Sequence, residues 1–139
     1  MEQTKYFLLV VSNWQQRRQS LLSILSQVSP DCLVSTATFT QTWKLINERV
    51  PDVIVVDRWF PGDDVTELVT VIKQKFPSIR ILVLDCYAER NRSFHLYPAD
   101  LVLEYDLPSY QVVEAVSQLL LTPAVISKDD KEEKFDSEN

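Results

Sequence analysis

Two aspartates in this chain each end a run of apolar residues. Val53-Ile54-Val55-Val56 leads into Asp57, and Ile81-Leu82-Val83-Leu84 leads into Asp85. A carboxylate delivered in this way can cap the segment that follows by accepting from its free amides. Two of them can also share a divalent cation, since magnesium takes one or two carboxylates in an oxygen shell. Asn13 is a weaker third ligand for such a site. If the two carboxylates meet, unit charges about 4 Å apart repel by roughly 4 kcal/mol at an effective dielectric of 20. One of them must then gain a proton or find an arginine, and Arg58 and Arg90 lie within reach along the chain. An unrelieved pair would make Asp85→Thr stabilising, because an uncompensated buried carboxylate is costly.

Other chemistry is thinly represented. Gly62 is the single glycine, which excludes every glycine-rich phosphate cradle. His95 stands alone, and no nucleophile is paired with a base. The chain is therefore expected not to be an enzyme. Trp14, Trp59, Tyr87 and Tyr105 fall near the ends of apolar runs. They read either as a packing cluster or, for Trp14, Trp59 and Tyr87, as a partner surface, because aromatic residues are enriched at interfaces.

The elements that must position these residues follow from periodicity. Apolar runs at residues 6–12, 32–39, 53–57, 79–85 and 99–105 are short and mostly continuous, as strands buried on both faces would be. Between them, apolar residues recur at helical spacing. Leu21, Ile24, Leu25 and Val28 mark a helix over 14–28, capped by Ser12 or Asn13 and ended by Pro30. Thr40 reads as the cap of a second helix that Pro51 stops. Asp64 and Glu67 imitate a capping box for a third, with Val65, Leu68, Val69, Ile72 and Phe76 as its stripe. Pro108 suits the first position of a last helix. Strands alternating with helices predict a parallel sheet covered on both faces by right-handed crossovers. In such sheets ligand chemistry gathers outside the carboxyl ends of the strands. Those ends carry Ser12-Asn13, Asp57, Asp85 and Tyr105.

The 139 residues suit one domain, read here as 1–121, followed by a charged tail over 122–139 with too little apolar content to order itself. The formal net charge is −6, where a nucleic-acid binder would carry a basic excess, and Arg17-Arg18 is too small a cluster to reverse that. No run is long enough to span a bilayer, and the amino terminus lacks the pattern of a secretory signal, so a cytoplasmic location is expected. In that compartment Cys32 and Cys86 are expected to be free, largely buried thiols.

The segment VIVVDRWFPGDD resembles the apolar strand, phosphoacceptor aspartate and Pro-Gly turn of response-regulator receiver domains. FLLVVSNWQQRRQSLLSIL is similar to that family's first strand and helix, and ADLVLEYDLPSYQVVEAV to its fifth strand and last helix. The likeness extends over about residues 5–121. It implies an α/β, flavodoxin-like, doubly wound five-stranded parallel sheet of strand order 2-1-3-4-5, with helices on both faces. It also implies that Asp57 is the phosphoacceptor equivalent.

The departures matter as much as the match. Where the family has an acidic pair that holds magnesium, this chain has Ser12 and Asn13. Where it has a Thr or Ser that grips the phosphoryl group, this chain has Asp85, and in place of the family's lysine it has Tyr105. The stretch between Asp85 and Ala99 is short, so the helix there is expected to be short or irregular. The resemblance thus implies a degenerate receiver that acts by protein–protein interaction, with little or no phosphorylation at Asp57 and no cofactor. Its partner would be another signalling protein (a histidine kinase, regulator or scaffold) or a second copy of the chain, with no nucleic acid and no membrane. The alternative is a working receiver with a rebuilt site that uses magnesium.

Overall fold

The computed structural model describes residues 5–58, 64–86 and 98–121. In chain order the elements are β1 (Tyr6–Val11), α1 (Gln15–Leu25), β2 (Cys32–Ala37), α2 (Thr42–Glu48), β3 (Val53–Arg58), α3 (Val65–Lys75), β4 (Arg80–Asp85), β5 (Leu101–Glu104) and α4 (Ser109–Leu121). The five strands form one parallel sheet in the order β2-β1-β3-β4-β5. The expected doubly wound α/β architecture is therefore present.

Burial explains why the strands read as continuous apolar runs. β1, β3 and β4 lie inside the sheet, and Leu8, Leu9, Val10, Val11 and Val53 to Val56 are fully buried. A strand covered on both faces has no solvent side, so it has no reason to alternate. The edge strands β2 and β5 are mostly half-buried, and Leu33 of β2 is exposed.

The sheet separates two cores. Successive strand residues face opposite sides, and this parity sorts the side chains. Leu9, Val11, Ile54, Val56, Ile81 and Val83 pack with Ile46 of α2 and with Val65, Val69 and Ile72 of α3. Leu8, Val10, Val53, Val55, Leu82 and Leu84 pack with Leu21 and Leu25 of α1 and with Val112 and Val116 of α4.

The helix boundaries differ in detail from the sequence reading. α1 begins one residue later than expected, at Gln15, with Trp14 as the N-cap residue and no side-chain cap bond. Ser12 and Asn13 therefore do not cap it, although Ser12 Oγ accepts from the Trp14 amide at 3.2 Å. α2 starts after Gln41 rather than Thr40, and Thr42 Oγ1 donates to the Thr38 carbonyl at 2.9 Å. Asp64 precedes α3 without a cap bond. Trp59, Gly62, Tyr87, Arg90, His95, the expected short helix between β4 and β5, and the acidic tail lie outside the described residues.

Candidate functional site

The chain winds outward from β1 to β2 and then crosses to β3 on the other side of β1, so the switch in strand order falls between β1 and β3. Clefts in open α/β sheets form at this place. Ser12 follows β1 and Asp57 lies near the end of β3, and both are fully buried. Ser12 Oγ donates to Asp57 Oδ2 at 2.9 Å. The Ser12 amide donates to the Ala37 carbonyl, which fixes the chain as it leaves β1.

The main partner of Asp57 is an arginine that the sequence reading did not single out for it. Arg17 stands in the first turn of α1, which packs on the face to which Asp57 points. Its Nη2 donates to Asp57 Oδ1 at 2.6 Å, and its Nε lies 3.2 Å from both carboxylate oxygens. The guanidinium also lies over the Tyr105 ring, 5.9 Å from its centroid. The planar fork of arginine suits this double role, because it binds a carboxylate with two donors and stacks on an aromatic face.

Cations at a helix N-terminus oppose the helix dipole by about 0.3–1 kcal/mol each. Arg17 and Arg18 both stand there, and α1 has no acidic residue in its first turn. The structure offsets this locally, since Arg17 is paired with Asp57 and Arg18 Nη1 donates to the Ser12 carbonyl at 2.8 Å.

Asp85 is not part of this cluster. The β3–β4 register sets Asp57 opposite Leu84 and Arg58 opposite Asp85. Parity then sends Asp85 to the face of Arg58, away from Asp57. Arg58 Nη1 lies 3.4 and 3.3 Å from the two oxygens of Asp85, whose side chain is fully buried. The expected repulsion between the two aspartates is therefore absent, because each carboxylate has its own arginine and faces its own side. A metal site shared by Asp57 and Asp85 is not formed either. Burial, followed by the charge of Asp85, pushes the neighbouring Cys86 thiol up from its ordinary pKa, with Arg58 opposing.

Asn13 also departs from expectation. It is exposed, and its Oδ1 accepts from the Phe39 amide at 2.9 Å, so it ties the end of β1 to the loop after β2 and does not join the pocket. Tyr105 belongs to the pocket through Arg17, and it packs against the core under α1 and α4. Trp14 is 38% exposed. The proposed surface residues Trp59 and Tyr87 lie outside the described residues.

Magnesium does not fit this arrangement. Both oxygens of Asp57 already accept from Ser12 and Arg17, and a guanidinium stands where a cation would meet the carboxylate. Among the described residues, no three His, Cys, Asp or Glu side chains converge as metal ligands.

No family model matches the chain, and no curated protein matches it in sequence. Solved structures do match it in shape. The receiver domain of NtrX from Brucella abortus is 22% identical, over 83% of this chain and 98% of that one, with a TM-score of 0.70. The signal receiver domain of the putative response regulator NarL from Mycobacterium tuberculosis is 20% identical, over 84% and 96%, with a TM-score of 0.69. A LuxR-family DNA-binding response regulator from Staphylococcus aureus is 19% identical, over 83% and 98%, with a TM-score of 0.70. The chain thus has the fold of response-regulator receiver domains.

Proposed function

We propose that this chain is a receiver-like signalling module that works by binding another protein and does not cycle through phosphorylation at Asp57. The observation that carries this reading is the clamp on Asp57. An attacking carboxylate oxygen needs a free lone pair aimed at the incoming phosphorus, and the charge of the transferred group must be met by positioned cations. Here the carboxylate is buried, and its oxygens are engaged by Ser12 and by Arg17. The positive charge is spent on holding the aspartate itself.

In this reading the chain is not an enzyme and needs no cofactor. Its partner is a histidine kinase, regulator or scaffold of a cytoplasmic signalling system, and a second copy of the chain is a further candidate. A ligand shifts an equilibrium only by its differential affinity for two states. With Arg17 already satisfied by Asp57, a phosphoryl mimic has little to gain by binding.

Amide NMR spectra recorded with and without beryllofluoride plus magnesium test the proposal. They are expected to superimpose, and Asp57 is expected to stay unmodified after incubation with acetyl phosphate. A second reading rests on the same arginine, because a guanidinium is also a strong phosphate ligand. If Arg17 swings from the carboxylate to a phosphoryl group, shifts will cluster at Ser12, Arg17, Asp57 and Tyr105. Arg17→Met will then abolish them. That outcome would replace the first reading with a phosphorylated receiver whose cation comes from α1.

A further inference from the structure

On the face of the sheet away from the Asp57 cluster, α2 and α3 leave a groove of about 610 Å³ between them. Phe39, Trp43, Leu68 and Val71 make its walls apolar. Its two ends carry opposite charge. Asp64 and Glu67 stand at the start of α3, and Lys75 stands at its end.

The acidic end is not neutralised from within. Asp64 and Glu67 are both exposed, and among the described residues no cation is paired with either. Hydrogen bonding to Asp64, and then repulsion by its charge, raises the Glu67 carboxyl above its ordinary pKa. A cation placed between the two would relieve that repulsion. The basic end is different, because the Lys75 ammonium lies 5.9 Å from the centroid of the Trp43 ring, an attractive placement for a cation. The groove thus combines an apolar floor with a polarity along its length.

We propose that this groove docks a short extended segment of another protein that carries a lysine or arginine at one end and a large apolar side chain beside it. The cation sits between Asp64 and Glu67, and the apolar side chain enters between Trp43 and Leu68. The length of the segment follows from the helix. Asp64 and Lys75 are eleven residues apart, or about 16 Å at a rise of 1.5 Å per residue. About five residues of extended chain span that distance at roughly 3.3 Å each. An acidic residue near the far end would meet Lys75. A basic segment also suits a chain whose formal net charge is −6. The site is independent of Asp57 and does not require the clamp to hold.

The test is selection from a phage-displayed library of random dodecapeptides against the full chain. Enriched sequences are expected to place a Lys or Arg beside a large apolar side chain, with an acidic residue about five residues from the cation, the spacing set by the strand rise. Their binding as synthetic peptides, followed by amide NMR, is expected to shift Phe39, Trp43, Leu68 and Val71. Glu67→Lys and Val71→Glu are surface changes that leave the cores intact, which far-UV circular dichroism verifies. Each is expected to weaken binding at least tenfold, whereas Asp57→Asn, shown to be folded by the same measurement, is expected to leave it unchanged. The proposal is overturned by the absence of enrichment, by enrichment of acidic or purely apolar peptides, or by binding that survives Glu67→Lys. Loss of binding in Asp57→Asn alone would also overturn it, by moving the site to the strand-end pocket.

Discussion

Arg17 and Asp57 are forty positions apart in the chain, yet they make the shortest ion pair among the described residues. The carboxylate is fully buried and the arginine side chain is 21% exposed, so the pair is partly screened on one side only. Breaking a buried pair typically costs about 3–5 kcal/mol, because one charge is left without compensation. Arg17→Met is therefore expected to lower the unfolding free energy by about 3 kcal/mol, the lower end of that range, because of the partial exposure of Arg17. Urea denaturation measures it, and a change below about 0.5 kcal/mol would class the contact with ordinary surface pairs. Asp85 leads to a correction of sign. Two unrelieved aspartates would have made Asp85→Thr stabilising. In the structure that substitution removes the Arg58–Asp85 ion pair, so the denaturation midpoint is expected to fall. The Arg58 contacts of 3.3 and 3.4 Å are longer than those of Arg17, and a loss of about 1–3 kcal/mol is expected. A raised midpoint would restore the repulsion argument.

At the scale of elements, two further aspartates start the strands. The Asp52 carboxylate accepts from the Phe7 amide of β1 at 2.8 Å, and the Asp100 carboxylate accepts from the Ile81 amide of β4 at 2.7 Å. Each sits just before the strand that lies beside its target, so its side chain extends the hydrogen-bond ladder past the last backbone pair. Asp100 also pairs with Lys73 of α3 at 2.8 Å, and Lys73 donates to the Ile79 carbonyl at 2.7 Å. One carboxylate thus fixes β4 and α3 together at the end of the sheet opposite the clamp. Asp100→Ala leaves the Ile81 amide without its side-chain acceptor and Lys73 without its counter-ion. A destabilisation of about 1–3 kcal/mol is expected, together with faster hydrogen exchange at the Ile81 amide than at Val83. Unchanged exchange at Ile81 would mean that water replaces the carboxylate at no cost. The last helix needs no such device, because Val112 and Val116 dock it on β3 and β4 through the core.

At the scale of the whole molecule, the sheet is the wall shared by two cores. β1, β3 and β4 contribute side chains to both faces, so neither cluster can form without the same three strands. Unfolding is therefore expected to be a single cooperative transition, as for most domains of this size. Trp14 reports on the α1 side and Trp43 on the α2 side. Variants that keep only one of these tryptophans are expected to unfold at the same urea midpoint as far-UV circular dichroism reports. Midpoints separated beyond error would show that one helical layer detaches before the other.

Several features were legible in the residues themselves. Continuous apolar runs at residues 53–56 and 81–84 mark strands buried on both faces, because a residue with no solvent side has little reason to be polar. Alternation of such runs with helical periodicity leads to a parallel sheet, and the crossover rules restrict its winding. The placing of Ser12, Asp57, Asp85 and Tyr105 at strand ends was legible for the same reason. What they do there was not. Whether Asp57 and Asp85 meet depends on parity against the neighbouring strand, and the β3–β4 register, absent from either segment alone, turns them apart. Asn13 differs from Ser12 by one position and so leaves on another side, toward Phe39. Arg17 looked like half of a small basic cluster, because sequence distance hides a contact made only when α1 folds back over the end of β3. The residue types set which groups reach the end of the sheet, and tertiary packing decided which charge met which, because Coulomb pairing depends on distance in space and not along the chain.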